Sequence, residues 1–294
     1  MKRQSTGDKV VNVIFYIILG FFVILCFYPV WYAFLASFSD PTYINSGKLI
    51  ILPRGLTFGA YKYALAQRQL WLGYANTILY TVAGTLFGLI VCLPAGYALS
   101  RNDLPFRKII MALFVFTMYF GGGLIPWYMV VTETLGLRDS IWALIIPSLL
   151  GSYNILLMRN FIKQCVPNEL VESARIDGAG DWRIFLQIVL RLSTPALATI
   201  GLFIALGKWN DWYGSMLFIK TDTKHTLQYI LYRMVNMANA LKNMEQAGVH
   251  VEIDTPSETV KLAMAMVATG PVVLVYPFVQ RYFVKGLTVG AVKG

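Results

Sequence analysis

Six runs of predominantly apolar sequence divide this chain, near residues 10 to 36, 73 to 98, 109 to 131, 140 to 158, 184 to 207 and 259 to 283. A hydrocarbon layer about 30 Å thick takes about 20 helical residues to cross and offers no partner to a bare peptide N–H or C=O. Runs of this length therefore fold there as helices, which satisfy their own backbone. Composition agrees, since 57% of the 294 residues are hydrophobic and 14% charged, against about 25% charged in an average soluble domain. The expected fold is an all-α polytopic membrane protein of six transmembrane helices, with residues 1 to 294 forming a single transmembrane domain. The first run is far longer than the roughly 7 to 15 residue apolar core of a secretory signal and lacks a small-residue cleavage site, so it is read as a span.

Lys and Arg outnumber Asp and Glu by 25 to 15, a net charge of +10. No basic run resembles a nucleic-acid arm. The charges sit in short segments between apolar runs, where they set orientation. An even number of spans puts both termini on one side, and fourteen Lys and Arg fall on that side against ten on the other, with Lys261 at a boundary. Both termini are therefore expected in the cytoplasm. Two external segments are large, 39 to 72 and 208 to 258, and the second is long enough to reach a soluble partner. Gly121, Gly122, Gly123 and Pro126, and later Gly270, Pro271 and Pro277, predict bends, because glycine gives no side-chain restraint and proline deletes a backbone hydrogen bond. Irregular backbone at membrane depth survives only beside protein or a watery cavity, so these breakers fit a conduit. Close helix packing through small residues accounts for glycines equally well, as with Gly84 and Gly88 at GxxxG spacing.

Other chemistry is poorly supplied. Cys26, Cys92 and Cys165 lack CxxC partners, and His225 and His250 stand apart from ligand-spaced Cys or carboxylates, so neither a metal site nor a His-based triad is expected. A P-loop needs four residues between its glycines and a Ser or Thr after the lysine; Gly201 and Gly207-Lys208-Trp209 have five intervening residues and tryptophan in place of the hydroxyl. The chain is therefore expected to be no enzyme and to hold no cofactor. A membrane enzyme acting on lipid or glycan would need convergent carboxylates or histidines, which are scattered here. An ion-coupled secondary transporter or channel would place ionisable residues inside its spans, where almost none occur.

Between the fourth and fifth runs lies Pro167-Asn168-Glu169-Leu170-Val171-Glu172-Ser173-Ala174-Arg175-Ile176-Asp177-Gly178-Ala179-Gly180, then Asp181-Trp182-Arg183. A helix is expected near 168 to 178: Asn168 can cap it, Glu169 suits its positive end, Glu172 and Arg175 stand at i,i+3, Leu170 and Ala174 share a face, and Gly178 can take a left-handed stop. Two turns with one small apolar face are marginal alone, so the helix is expected to dock into something. The segment resembles the EAA loop of ABC importer membrane subunits, from Glu169-Leu170 through Glu172-Ser173-Ala174 to Asp177-Gly178-Ala179. Residues 188 to 199 look like the start of the fifth span in carbohydrate importers of the maltose-transporter class, and residues 280 to 294 match that class too. Gly121 to Pro126, with Trp209-Asn210-Asp211-Trp212, resemble the branch handling complex oligo- and polysaccharides, alginate among them. Two departures stand out: Ser173 where Ala is common, and Arg191 where proline is expected, so that one kink is expected to be lost.

The resemblance implies a type I ABC importer transmembrane domain in the bacterial plasma (inner) membrane, a permease subunit forming half of a path for an oligosaccharide or polysaccharide. It implies as partners a second homologous permease subunit, an ATPase dimer that binds the ATP and magnesium, an extracytoplasmic substrate-binding protein and membrane lipid. Glu169 and Glu172 would contact the ATPase, Ser173 and Ala174 allow close approach, and Asp177, Gly178 and Ala179 form the turn. A cytoplasmic tail at 284 to 294, with Lys285, Gly286 and Gly290, would reach the ATPase as well, its glycines and lysines being unable to continue a transmembrane helix. Sugars are gripped by aromatic faces and amides, which makes Tyr119, Tyr153, Asn154, Trp209 and Asn210 the candidates for the substrate path. Trp127, Trp209 and Trp212 also fit the aromatic belt at a membrane surface.

Overall fold

The computed structural model describes residues 6–45, 52, 55–246 and 258–291, and among these there is no strand. Helix α1 covers Thr6–Ser37, with short helices α2 at Pro41–Asn45 and α3 at Gly59–Ala66. Helix α4 covers Arg68–Ser100, α5 Arg107–Tyr119 and α6 Leu124–Met129, the last continued by a π-helical turn over Val130–Thr134. Helix α7, Trp142–Ile145, tightens into a 3₁₀ turn at Ile146–Ser148 before α8, Ser152–Cys165, and α9, Asn168–Ile176. Helix α10, Asp181–Ile184, passes through a π-helical turn at Phe185–Val189 into α11, Leu190–Leu192. Then come α12 at Thr194–Trp209, α13 at Tyr213–Phe218, α14 at Leu227–Gln246 and α15 at Glu258–Ala291.

Three stretches are long and apolar enough to cross a membrane, Lys9–Ser37, Arg68–Ser100 and Glu258–Val275, and the count reaches 6 if each of three bent pairs is one span. The third expected run is not one helix. Arg107–Tyr119 and Leu124–Thr134 meet at 112°, across an extended Phe120 and a Gly123 at φ +89°. The fourth run bends by 50° between Trp142–Ser148 and Ser152–Cys165, at Pro147 and Gly151, which sequence reading passed over. The sixth holds the reverse surprise, because α15 runs unbroken through Gly270, Pro271 and Pro277. It also continues to Ala291, so residues 284 to 291, expected to end the helix, extend it.

The fifth run bends by 75° between Asp181–Leu192 and Thr194–Trp209, although the proline expected at position 191 is Arg191. Pro195 supplies the break instead. Lacking an N–H, it leaves the Arg191 carbonyl without its helical donor, and the Thr194 hydroxyl donates to that oxygen at 2.8 Å. Arg191 itself is exposed.

By contacts the chain divides into two compact units, Met1–Arg68 with Arg233–Gly270, and Gln69–Tyr232 with Pro271–Gly294. In the first, Leu35 and Ala36 are buried with Tyr32, Ile44 and Leu262 around them. The Phe38 ring stacks on Tyr61 at 4.6 Å and Ser37 Oγ lies 2.8 Å from the Tyr61 hydroxyl. The apolar side chains of α1 from Val10 to Val30 are largely exposed, as a lipid-facing or subunit-facing helix requires.

In the second unit α4, α8, α10 and α12 enclose a core of Leu93, Tyr97, Met158, Ile162, Val189 and Ile200. Small residues let the helices approach. A Cβ on Gly96 would stand 2.7 Å from Met158 Cγ, on Gly88 3.2 Å from Ile204 Cδ1, and on Gly84 3.1 Å from the Lys208 stem. The GxxxG pair of α4 therefore faces α12. The Lys208 ammonium donates to the Leu144 carbonyl and the Ser148 hydroxyl, joining α12 to the first half of the fourth run. Part of the segment 208 to 258 is pinned to α4: Asn76 Nδ2 donates to the Thr223 and His225 carbonyls at 2.8 and 3.1 Å, and the Tyr80 hydroxyl to that of Lys224 at 2.8 Å. His225 is buried, its Nδ1 3.2 Å from Ser215 Oγ; it packs the loop.

Candidate functional site

Helix α9 stands where the sequence places it, with corrected details. Its N-terminal cap position is Pro167, without a side-chain cap bond, and Asn168 is already the first helical residue. The left-handed stop is Gly178, φ +76°. Gly178 N–H donates to the Arg175 carbonyl at 3.0 Å and Ala179 N–H to that of Ala174 at 2.9 Å, the paired bonds of a Schellman ending. The face turned to its own chain is Val171 with Ala174, joined by Ala179 against the core. Leu170, expected to share that face, is 47% exposed and Ile176 is 87% exposed. Glu169, Glu172, Ser173 and Asp177 are exposed as well. The Ser173 hydroxyl donates to the Glu169 carbonyl at 2.7 Å, so the extra atom relative to alanine is bound to its own helix. Beside α9 lies a cavity of about 220 Å³, lined by Ala174, Asp177, Ala179, Arg183 and Gln187 among others.

Arg175 does not pair with Glu172 at i,i+3. It reaches across to Asp103 at 3.2 Å and Asp181 at 3.4 Å. The same two carboxylates are held by Arg101: Nε and Nη2 on Asp103 at 2.8 and 2.5 Å, Nη1 on Asp181 at 2.6 Å. The Arg101 bonds hold the Asp103 carboxyl well below the usual carboxylate range, and Asp103 in turn raises the pKa of Arg101. Two arginines thus share two aspartates, drawn from the end of α4, from α9 and from the start of α10. Beneath them the Tyr97 ring lies 5.9 Å from the Arg101 guanidinium carbon and 5.7 Å from Phe185, which meets Trp182 edge-on at 5.9 Å. Sequence reading missed this quartet because nothing local to Arg101 or Asp103 points across 70 to 80 residues.

The substrate-path candidates fall into two sets. Tyr119 and Tyr153 are 78% and 59% exposed, near a 2.8 Å bond between the hydroxyls of Thr117 and Ser152 that joins α5 to α8. Asn154 is half-buried there, its Nδ2 close to Gly151. Trp209 is 9% exposed and its ring meets Tyr74 at 6.4 Å, in the wall of an apolar cleft of about 180 Å³. Asn210 Nδ2 donates to the Leu206 carbonyl at 3.0 Å, closing the end of α12. The first set lies where α5 meets α8 and the second at the end of α12. Lys285, Gly286 and Gly290 lie on α15, and the Lys285 side chain falls outside the described residues. Among the described residues no group of three His, Cys, Asp or Glu side chains is placed to hold a metal.

Comparison with known proteins agrees along almost the whole chain. Residues 1–289 match the family described as binding-protein-dependent transport system inner membrane component. A Bacillus subtilis (strain 168) protein, the polygalacturonan/rhamnogalacturonan transport system permease protein YtcP, is 38% identical over 98% of this chain and 99% of its own. Protein LplC of the same organism is 36% identical over 99% and 98%. Among solved structures, a bacterial ABC transporter involved in the import of the acidic polysaccharide alginate superposes with a TM-score of 0.83 at 32% identity, covering 96% of this chain and 100% of that one. On a full-length match, the chain belongs to the binding-protein-dependent transport system inner membrane components, the permease subunits of ABC importers.

Proposed function

We propose that this permease forms half of the translocation path for an oligosaccharide or polysaccharide, together with a second homologous subunit, and that α9 is the coupling helix through which an ATPase pair drives it. The observation that carries the coupling role is the division of α9 into two faces. Val171 and Ala174 anchor it, while Leu170, Ile176, Glu169 and Glu172 face outward with no internal partner for either carboxylate among the described residues. A short helix that spends its small apolar face on its own bundle and keeps large apolar side chains in water is built to be covered. Glu169 and Glu172 supply the polar contacts to the ATPase, Ser173 and Ala174 permit close approach, and Asp177, Gly178 and Ala179 pass movement on through the turn. ATP and magnesium belong to that ATPase, since this sequence lacks a P-loop.

Both termini then lie in the cytoplasm with α9, and the tail containing Lys285, Gly286 and Gly290 adds to the ATPase contact. The segment 208 to 258 meets the substrate-binding protein on the far side. Relatives named for polygalacturonan/rhamnogalacturonan and for alginate support a saccharide cargo, an acidic one included. Copurification from native membranes in mild detergent tests the reading. The wild-type chain is expected to bring down an ATPase pair and a second permease subunit, and Glu172→Arg to lose the ATPase while keeping the subunit. A wild-type chain recovered alone, or a variant that retains the ATPase in full, overturns it.

A further inference from the structure

Helix α9 is joined covalently only to α8 and α10, so the chain alone would pass a push on α9 into the fourth and fifth runs. The charge quartet opens another route. Arg101 and Asp103 follow directly on α4, and through them α9 and α10 are tied to the second span. We propose that Arg101, Asp103, Arg175 and Asp181 are positioning residues for transport, making the cytoplasmic end of α4 move as one body with the coupling helix and the start of the fifth run. This inference rests on the coupling role given to α9.

The geometry favours a rigid joint over a decorative surface pair. Arg101 grips Asp103 through both carboxylate oxygens, and a two-bond guanidinium contact fixes direction as well as distance. Its remaining Nη1 holds Asp181, so one planar group sets two carboxylates from two elements. Arg175 enters on the same pair, and the charges balance within the cluster. A single exposed ion pair contributes little, but each carboxylate here is shared by two arginines and Arg101 is only 21% exposed. The rings of Tyr97, Phe185 and Trp182 form a second, apolar tie between α4 and the start of the fifth run. Together they leave α4 little freedom to lag behind α9.

Spin labels at Asn102 and Arg183, neither assigned to ATPase contact, read this joint in the complete complex. Distances are compared between the nucleotide-free and vanadate-trapped ATP states, with ATPase copurification confirmed for every variant. In the wild type the distance between labels is expected to stay the same in both states. In Asp103→Asn/Arg175→Gln it is expected to broaden and shift in the trapped state alone, while Arg175→Lys, which keeps the charge, retains the narrow distribution. A merely structural staple would alter both states alike. A wild-type distance that changes on trapping, or a double variant that stays narrow, overturns the inference while leaving the coupling role intact. A wild-type complex that fails to retain the ATPase overturns both.

Discussion

Gly178 and Gly96 show two reasons for the same residue. At Gly178 the backbone is left-handed, and a Cβ there would meet nothing within 4 Å, so Gly178→Ala pays only conformational strain of about 1 kcal/mol. At Gly96 the obstacle is Met158 and the Arg159 N–H, the latter 3.1 Å from the Cβ position, and Gly96→Ala should lose roughly 1 to 3 kcal/mol by overpacking. Thermal melting of the detergent-purified complex should therefore fall further for Gly96→Ala; equal shifts would contradict this assignment. The first glycine is legible in sequence because it follows a short charged helix, whereas the second is silent until α8 is placed beside α4. Asp139 is another silent residue. It accepts from the Thr221 hydroxyl at 2.6 Å, from the Lys220 and Thr221 N–H groups at 2.9 and 3.0 Å, and pairs with Lys224 at 3.0 Å. These bonds, that of the Thr221 hydroxyl first, hold its carboxyl well below the ordinary value of 3.8. A depressed carboxyl stabilises the fold above its unfolded value and loses that contribution as pH falls from there through the folded value. Melting from pH 7 to 3 should show wild type losing an increment below about pH 3.8 that Asp139→Asn lacks throughout; parallel curves would remove the clamp's role.

At the scale of elements, the breaks matter more than the spans. Gly121 to Gly123 announce the 112° turn of the third run, because consecutive glycines leave the backbone free and Pro126 allows a new helix to start. Pro271 and Pro277 carry the same letters without the same outcome, since α15 accommodates both. What a proline does depends on whether neighbours satisfy the carbonyl it orphans, and the sequence does not show the neighbours. The fifth run illustrates the converse, with Thr194 taking the carbonyl freed by Pro195. Lys208 joins elements outright. One residue past the expected end of the fifth run, it reads as a loop charge, yet its stem packs on Gly84 and its ammonium meets the Leu144 carbonyl and Ser148 hydroxyl. Lys208→Met keeps the packing and strands those groups, at an expected loss of roughly 1 to 3 kcal/mol in unfolding free energy. Ser148→Ala, which removes one of the two acceptors together with the Ser148 bond to the Ile145 carbonyl, should lose less; a Lys208→Met variant as stable as wild type would show that the stem, not the ammonium, holds the two elements.

For the whole molecule, the prediction concerns the tail. Deleting residues 286 to 294 is expected to lower ATPase stimulation by the reconstituted permease several-fold while leaving copurification of the second subunit unchanged, and undiminished stimulation would end that role for Gly286 and Gly290. Membrane insertion, the number of apolar runs and the position of α9 were all written in the sequence. Each depends on residues near in the chain: apolar length against bilayer thickness, and a short amphipathic helix closed by glycine. The family resemblance was legible at α9 for the same reason, and the full-length match extends it. What the tertiary structure alone decided is which parts meet. Arg175 bypassed Glu172, three residues away, for Asp103 and Asp181; Gly84 and Gly88 turned to α12; the aromatic candidates for the path split into two sets. Such partnerships arise where chain segments 60 to 150 residues apart are packed side by side, and in lipid that packing is set by shape and by the need to satisfy each buried polar group, properties that no local stretch of sequence contains.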